Sequence, residues 1–385
     1  MGDLYQNAVL TISAGRASPC YEGFLDHDFR PQDFVSLPSP EVGNSGSLLI
    51  HGGYANPMVP GLQPSNKRAW TLQETFMSPR LLIFTDIQVF WKCQTCFKTD
   101  GYAEKNWHAW CASTGYVGVT SKELNPPSKS FLKRSFWKKA GKSPENELLV
   151  QWNRVFNNYT RRELSDEEDK LPAIAAVAER FSEALGSEYR AGLWKNHLIV
   201  GLAWKTVYKQ NSRPPKWRSP TWSWASIDGE VATTWLVPTA ELLHCSTTPA
   251  AESIKFGAVT SGELVVRGFL RRVELKKVDD TWIIAGNNPS IKRVVNGSGS
   301  TGAQFSCDVL SEMEFLSQNS ETIIAWCLAL GNKVESVIRR NAQHSVETSC
   351  LVLIKLGHSS NLYQRIGFYR AARVYGDQPN WFEQG

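Results

Sequence analysis

Residues Arg68–Cys93 read RAWTLQETFMSPRLLIFTDIQVFWKC, and this stretch decides the fold class. Its first half, Arg68–Pro79, sets Trp70, Gln73 or Glu74, and Met77 at one-turn spacing, which predicts a helix of about three turns. Pro79 has no amide hydrogen and stops it. Two apolar runs follow, Arg80–Thr85 and Ile87–Cys93, read as strands separated by the polar Asp86. Upstream, MGDLYQNAVLTISA predicts a short helix carrying Leu4, Tyr5 and Ala8, then a strand over Val9–Ala14.

Working outward, residues 15–67 are rich in Pro, Gly and Ser and read as one long irregular connection. Residues 126–146 mix Lys129, Lys133, Arg134, Lys138, Lys139 and Lys142 with Phe131, Phe136 and Trp137. A run of this kind is ordinarily a solvated loop. Leu149, Trp152, Phe156 and Tyr159 then form a helical stripe. Ser165 and Glu168 have capping-box spacing ahead of a helix over Pro172–Leu185, with Ile174, Ala178, Phe181 and Leu185 inward. Aromatic-rich helical sequence is read on through Tyr189, Trp194 and Trp204. From about residue 236 the texture turns to short alternating strands, including Glu263–Gly268, Val273–Lys277, Thr281–Ala285, Thr322–Leu330 and Ser349–Ile354.

Composition closes several classes. The chain has 385 residues, 42% of them hydrophobic and 21% charged, which is too apolar for disorder. No apolar run approaches the ~20 residues of a membrane span. The N-terminus has no basic residue before its short apolar stretch, so no signal peptide is expected. Eight cysteines are far too few for a disulfide scaffold, and a cytoplasmic, reducing setting is expected. A net charge of +5 does not call for nucleic acid as a partner. The count of 15 Trp is high and marks a heavy use of large rigid side chains.

The chemical candidates are few. Cys93, Cys96, His108 and Cys111 have the spacing of a tetrahedral zinc site, but a chain with this much apolar core does not need one, and no metal is expected. A nucleophile elbow and a phosphate-binding glycine loop are both missing: GNSGS at 43–47 and NGSGSTG at 296–302 lack the required residues. Glu74 stands out, because a carboxylate on or beside an apolar stripe is either paired to an arginine, with Arg68 and Arg80 near in sequence, or poised for chemistry.

The Arg68–Cys93 run resembles the third sequence block of the fungal heterokaryon-incompatibility (HET) domain, through Arg68, Trp70, Thr71, Leu72, Gln73, Glu74, Ser78, Arg80, Phe90, Trp91 and Cys93. Met1, Leu4, Tyr5, Ala8, Ile12, Ala14 and Gly23 are similar to the stretch before it, with Phe24 replacing the family's Leu. Further on, Tyr159, Asp169, Lys170, Leu171, Pro172, Ala173, Gly192, Leu193, Trp194, Pro220, Trp222, Ser223 and Trp224 resemble the region that trails that domain. The family's first two strands have no counterpart, so the expectation is the C-terminal part of a HET domain over 1–113, a helical aromatic-rich trailing region over 114–235, and a β-rich module over 236–385. The resemblance implies a partial α/β layer of toll/interleukin-1 receptor (TIR) type with a parallel sheet, and a role in nonself recognition and regulated cell death through protein partners, homotypic ones included. It also implies an alternative: cleavage of NAD as a substrate, with Glu74 as the catalytic carboxylate and Arg68, Trp70 and Arg80 shaping the site. The missing strands would form one wall of that site, so the chain by itself is expected to act by interaction or to be vestigial, and the NAD-cleaving alternative needs the missing half from a partner chain or an upstream exon.

Overall fold

A computed structural model describes residues 2–18, 21–25, 34–38, 47–51, 63–85, 89–93, 97–99, 144–207, 211–278, 281–285, 304–318, 320–335, 345–357 and 360–374. The chain divides into two compact units, Met1–Asn125 and Pro126–Gly385. Helices and strands are mixed, and the C-terminal part is rich in strands, as the sequence predicts.

The first unit opens with the short helix α1 (Gly2–Gln6) and strand β1 (Thr11–Ser13). Strands β2 (Phe34–Pro38) and β3 (Ser47–His51) form an antiparallel hairpin inside the stretch expected to be wholly irregular. Helix α2 spans Thr71–Met77 and leads into β4 (Arg80–Phe84), β5 (Val89–Cys93) and β6 (Phe97–Thr99). These strands make a four-stranded sheet in the order β1-β4-β5-β6. β1 and β4 are parallel, whereas β4–β5 and β5–β6 are antiparallel. Helix α2 buries Gln73 and Met77 of the expected stripe together with Leu72 and Phe76, and Trp70 is half-buried at the helix start. Ser78 ends the helix in an extended conformation, which the following Pro79 favours. Its Oγ donates to the Glu74 carbonyl at 2.6 Å and lies 2.8 Å from the Thr11 hydroxyl, joining α2 to β1.

The second unit begins with α3 (Pro144–Thr160) and α4 (Ala175–Leu185). The four aromatic-stripe residues Leu149, Trp152, Phe156 and Tyr159 are all buried, as are Ile174, Ala178, Phe181 and Leu185. The expected capping box is replaced by a shorter device: the Asp166 carboxylate accepts from the Glu168 amide and caps the turn Glu167–Lys170. The region expected to continue as helix is helical only in its middle, a 3-10 turn at Lys195–His197 running into Leu198–Gly201, and is flanked by the short strands β7 (Tyr189–Arg190), β8 (Leu193–Trp194) and β9 (Trp204–Thr206). The cause lies in the turn between β7 and β8, where Ala191 and Gly192 both take positive φ, which ends any helix there.

After β10 (Val231–Thr233), β11 (Val237–Pro238) and the hairpin β12 (Glu241–Pro249) and β13 (Val259–Arg267), one large antiparallel sheet dominates. Its strands are β14 (Leu270–Val278), β15 (Thr281–Ala285), β16 (Gln304–Cys307), β17 (Thr322–Glu335), β18 (Ser345–Lys355) and β19 (Tyr363–Val374), in the order β15-β14-β17-β18-β19-β16. Strand β11 also pairs with β17. The two ends of the sheet, β15 and β16, approach each other, so the sheet nearly closes. Its interior holds Leu275, Trp282, Ile323, Cys327, Cys350 and Ile366, and the helix Leu310–Leu316 inserts the fully buried Met313 among them. Among the described residues no helix is long and apolar enough to cross a membrane.

Candidate functional site

Glu74 lies in the first turn of α2 and is half-buried. The Tyr5 phenol of α1 lies close enough to feel its charge. Burial raises the Tyr5 phenol above its usual range, and the Glu74 charge pushes it the same way, while the Arg68 charge pulls it back. Tyr5, Arg68 and Glu74 thus share one neighbourhood. Arg68 is exposed, in an extended conformation three residues before α2. Arg80 opens β4, and its guanidinium donates to the Val9 carbonyl at 3.3 Å. Trp70 is half-buried at the start of α2.

Of the zinc candidates, Cys93 ends β5 half-buried; Cys96, His108 and Cys111 lie outside the described residues, as does the basic–aromatic stretch up to residue 143. No group of His, Cys, Asp and Glu among the described residues could hold a metal ion. Cys245, Cys327 and Cys350 are buried free thiols, and burial pushes the Cys245 thiol up to about 11.

The second unit gathers the downstream residues into one aromatic node. Trp224 Nε1 donates to the Gly192 carbonyl at 2.9 Å, and Ser223 Oγ donates to the Ala191 carbonyl at 2.5 Å. Trp204 Nε1 donates to the Trp222 carbonyl at 2.9 Å. The Tyr159 hydroxyl donates to the Lys170 carbonyl at 2.5 Å, and its ring stands edge-on to Trp224, with centroids 5.9 Å apart. Phe156 meets the same indole at 5.0 Å, and Trp152 meets Trp194 at 4.9 Å. Edge-to-face pairs of this kind are favoured by the ring quadrupoles.

No protein-family profile matches this chain, and no curated protein or solved structure matches it significantly.

Two buried cations went unnoticed as charges in the sequence. Arg218 spreads its donors over the carbonyls of Ala225, Glu167 and Ile227 and the Asp228 carboxylate, which fixes the loop that carries Trp222 and Trp224. Lys170, 3% exposed, is brought down to about 8 by burial, against the opposing pull of Asp228. An unfolded lysine keeps its proton up to about pH 10.4. Between about pH 8 and 10 the unfolded chain therefore binds more protons than the folded one, and stability rises with pH. Urea unfolding followed from pH 7.5 to pH 10 is expected to show a gain on the order of 2 kcal/mol. Lys170→Met is expected to flatten that rise; a variant that keeps it would show that another group is responsible.

Proposed function

We propose that this chain is a heterokaryon-incompatibility-type protein, linked to nonself recognition and regulated cell death, that works through protein partners and not through turnover. The observation that bears on the second half of this reading is the position of Glu74, half-buried on α2 with the Tyr5 phenol of α1 beside it. A carboxylate meant to stabilise positive charge developing on a sugar carbon has to present an open oxygen to substrate. Here the carboxylate is half-buried next to the Tyr5 phenol. Support for the family reading comes from Tyr159, Gly192, Trp194, Ser223 and Trp224, scattered in sequence and gathered in one packed node. Partner binding, including binding to further copies of the chain, is the mode this reading assigns, and the TIR-like character of the β1–β4 layer belongs to the same proposal.

The second reading, an NAD glycohydrolase, rests on the Arg68 charge beside Tyr5 and Glu74. Purified chain incubated with NAD is expected to release no nicotinamide above a protein-free blank. Controlled expression in filamentous fungal cells is expected to arrest growth equally with Glu74 and with Glu74→Gln, at unchanged cellular NAD. Nicotinamide release that disappears in Glu74→Gln would establish the enzyme instead. Expression without any growth arrest would overturn the cell-death role.

A further inference from the structure

Ser165 lies on a bend between α3 and the turn Glu167–Lys170, and it is exposed. Its hydroxyl has no hydrogen-bond partner among the described residues. The charges around it can be read in two ways. Arg161 and Arg162 stand four and three residues before it, whereas Asp166, Glu167, Glu168 and Asp169 follow it directly. Protein kinases select their substrates by such charge patterns, so the sequence fits a kinase that reads basic residues and one that reads acidic residues equally well. The structure separates the two. Arg162 is 9% exposed, and its Nε and one terminal nitrogen both donate to Asn158 Oδ1, at 3.0 and 2.9 Å. Arg161 is tied to Glu230 at 2.7 Å. Asp166, Glu167 and Glu168 are all exposed. Asp166 has extended backbone, φ −116 and ψ 117, and the turn after it is a 3-10 turn of only four residues, a form with poor hydrogen-bond geometry.

Phosphoryl transfer needs an acceptor oxygen that can be brought in line with the bond that breaks. Among the described residues Thr71, Thr160, Thr260 and Ser311 also have a carboxylate three residues on. They lie within α2, α3, β13 and the helix Leu310–Leu316. The first three hydroxyls already donate, to the carbonyls of Ser65, Val231 and Thr248. Ser165 is under neither constraint. We propose that Ser165 is a phosphorylation site, modified by a protein kinase with a basic substrate groove and a nucleoside triphosphate as donor. Ser165 Oγ attacks the γ-phosphorus, its proton passes to the kinase's catalytic carboxylate, and the bond from the γ-phosphorus to the bridging oxygen breaks, releasing the nucleoside diphosphate. The ester carries a charge of about −1.5 to −2 near neutral pH. With Arg161 and Arg162 engaged elsewhere, that charge adds to Glu163, Asp166, Glu167 and Glu168, and the modification acts as a charge switch on this corner of the second unit. This inference stands on the second unit alone and does not depend on the heterokaryon-incompatibility reading.

The test incubates the purified, folded full chain with ATP, Mg²⁺ and either an acidophilic or a basophilic serine/threonine kinase, and follows Ser165 by peptide mass spectrometry. The acidophilic kinase is expected to place a phosphoryl group on Ser165, and the basophilic kinase to leave that residue unmodified. Ser165→Ala is expected to remove the modified peptide; the residue is exposed and unbonded, so the fold does not depend on it. Glu168→Gln removes the carboxylate three residues on and disturbs only an exposed pair with Lys216 at 3.4 Å. It is expected to slow the modification several-fold. No phosphate on Ser165 with the acidophilic kinase overturns the proposal. So does modification by the basophilic kinase at an equal or higher rate, which would mean that the arginines are read after all. A Glu168→Gln chain modified at the parental rate overturns it as well, because the acidic residues would then play no part.

Discussion

Replacing Arg365 with alanine is expected to cost the second unit about 3–5 kcal/mol of stability, because it leaves a buried charge without its partner. Arg365 is 1% exposed, on β19. Its Nε donates to Asp308 Oδ2 at 2.9 Å, and one terminal nitrogen reaches Asp308 Oδ1 at 3.2 Å and the Trp204 carbonyl at 2.6 Å. The other terminal nitrogen donates to the Leu202 carbonyl at 2.8 Å. The guanidinium carbon also sits over Trp204, 3.3 Å from the ring centroid, in a cation–π contact. Burial pulls the Arg365 guanidinium below its usual range, while Asp308 holds it up. Removing the arginine strands the Asp308 carboxylate, itself 1% exposed, and two carbonyls in a medium without water. Arg365→Lys is not a rescue, since an ammonium cannot reproduce the planar fork that serves three acceptors at once. The double variant Arg365→Met with Asp308→Leu is expected to recover most of the loss, because it removes the charge together with its partner. Urea unfolding read by tryptophan fluorescence measures all three variants. An alanine variant within 1 kcal/mol of the parent would show that the pair is hydrated and of little weight.

That node also shows what the sequence could not disclose. Helix α3 was legible because its stripe is local: Leu149, Trp152, Phe156 and Tyr159 recur at the helical period, and each is buried. The strands of the C-terminal sheet were legible for the same reason, since alternation is visible within one strand. Arg365 and Asp308 belong to different elements, and no periodicity links them. The same holds for Tyr5 and Glu74, and for His197 and Glu145. Charge read along a chain identifies candidates for pairing, not the pairs. The segment from Tyr189 to Trp204, helical as expected only over 195–201, was misread at its ends for a different reason. Its apolar content satisfies a buried helix and a buried strand equally, and short apolar runs carry no period that separates them. The deciding fact was the backbone at Ala191 and Gly192, where a turn of positive φ overrides the local preference.

That turn makes Gly192→Ala the second large effect. Gly192 has φ +98, and a Cβ placed there would lie 2.4 Å from Trp224 Nε1. The strained φ alone costs about 1–2 kcal/mol for a residue with a Cβ, and overpacking against a ring that cannot yield adds about 1–3 kcal/mol. Trp224 cannot yield because it is 1% exposed and wedged between Phe156 and Tyr159. Shifting it would also break the 2.9 Å bond from its indole to the Gly192 carbonyl. A total loss of about 3 kcal/mol is expected. The two contributions separate in a double-mutant cycle with Trp224→Phe, whose smaller ring vacates the space around Nε1. In that background Gly192→Ala is expected to cost only the backbone strain of about 1–2 kcal/mol, so the two substitutions couple by 1 kcal/mol or more. If instead the costs simply add, Trp224 does not press on this turn, and the strain at Gly192 lies wholly in its own backbone.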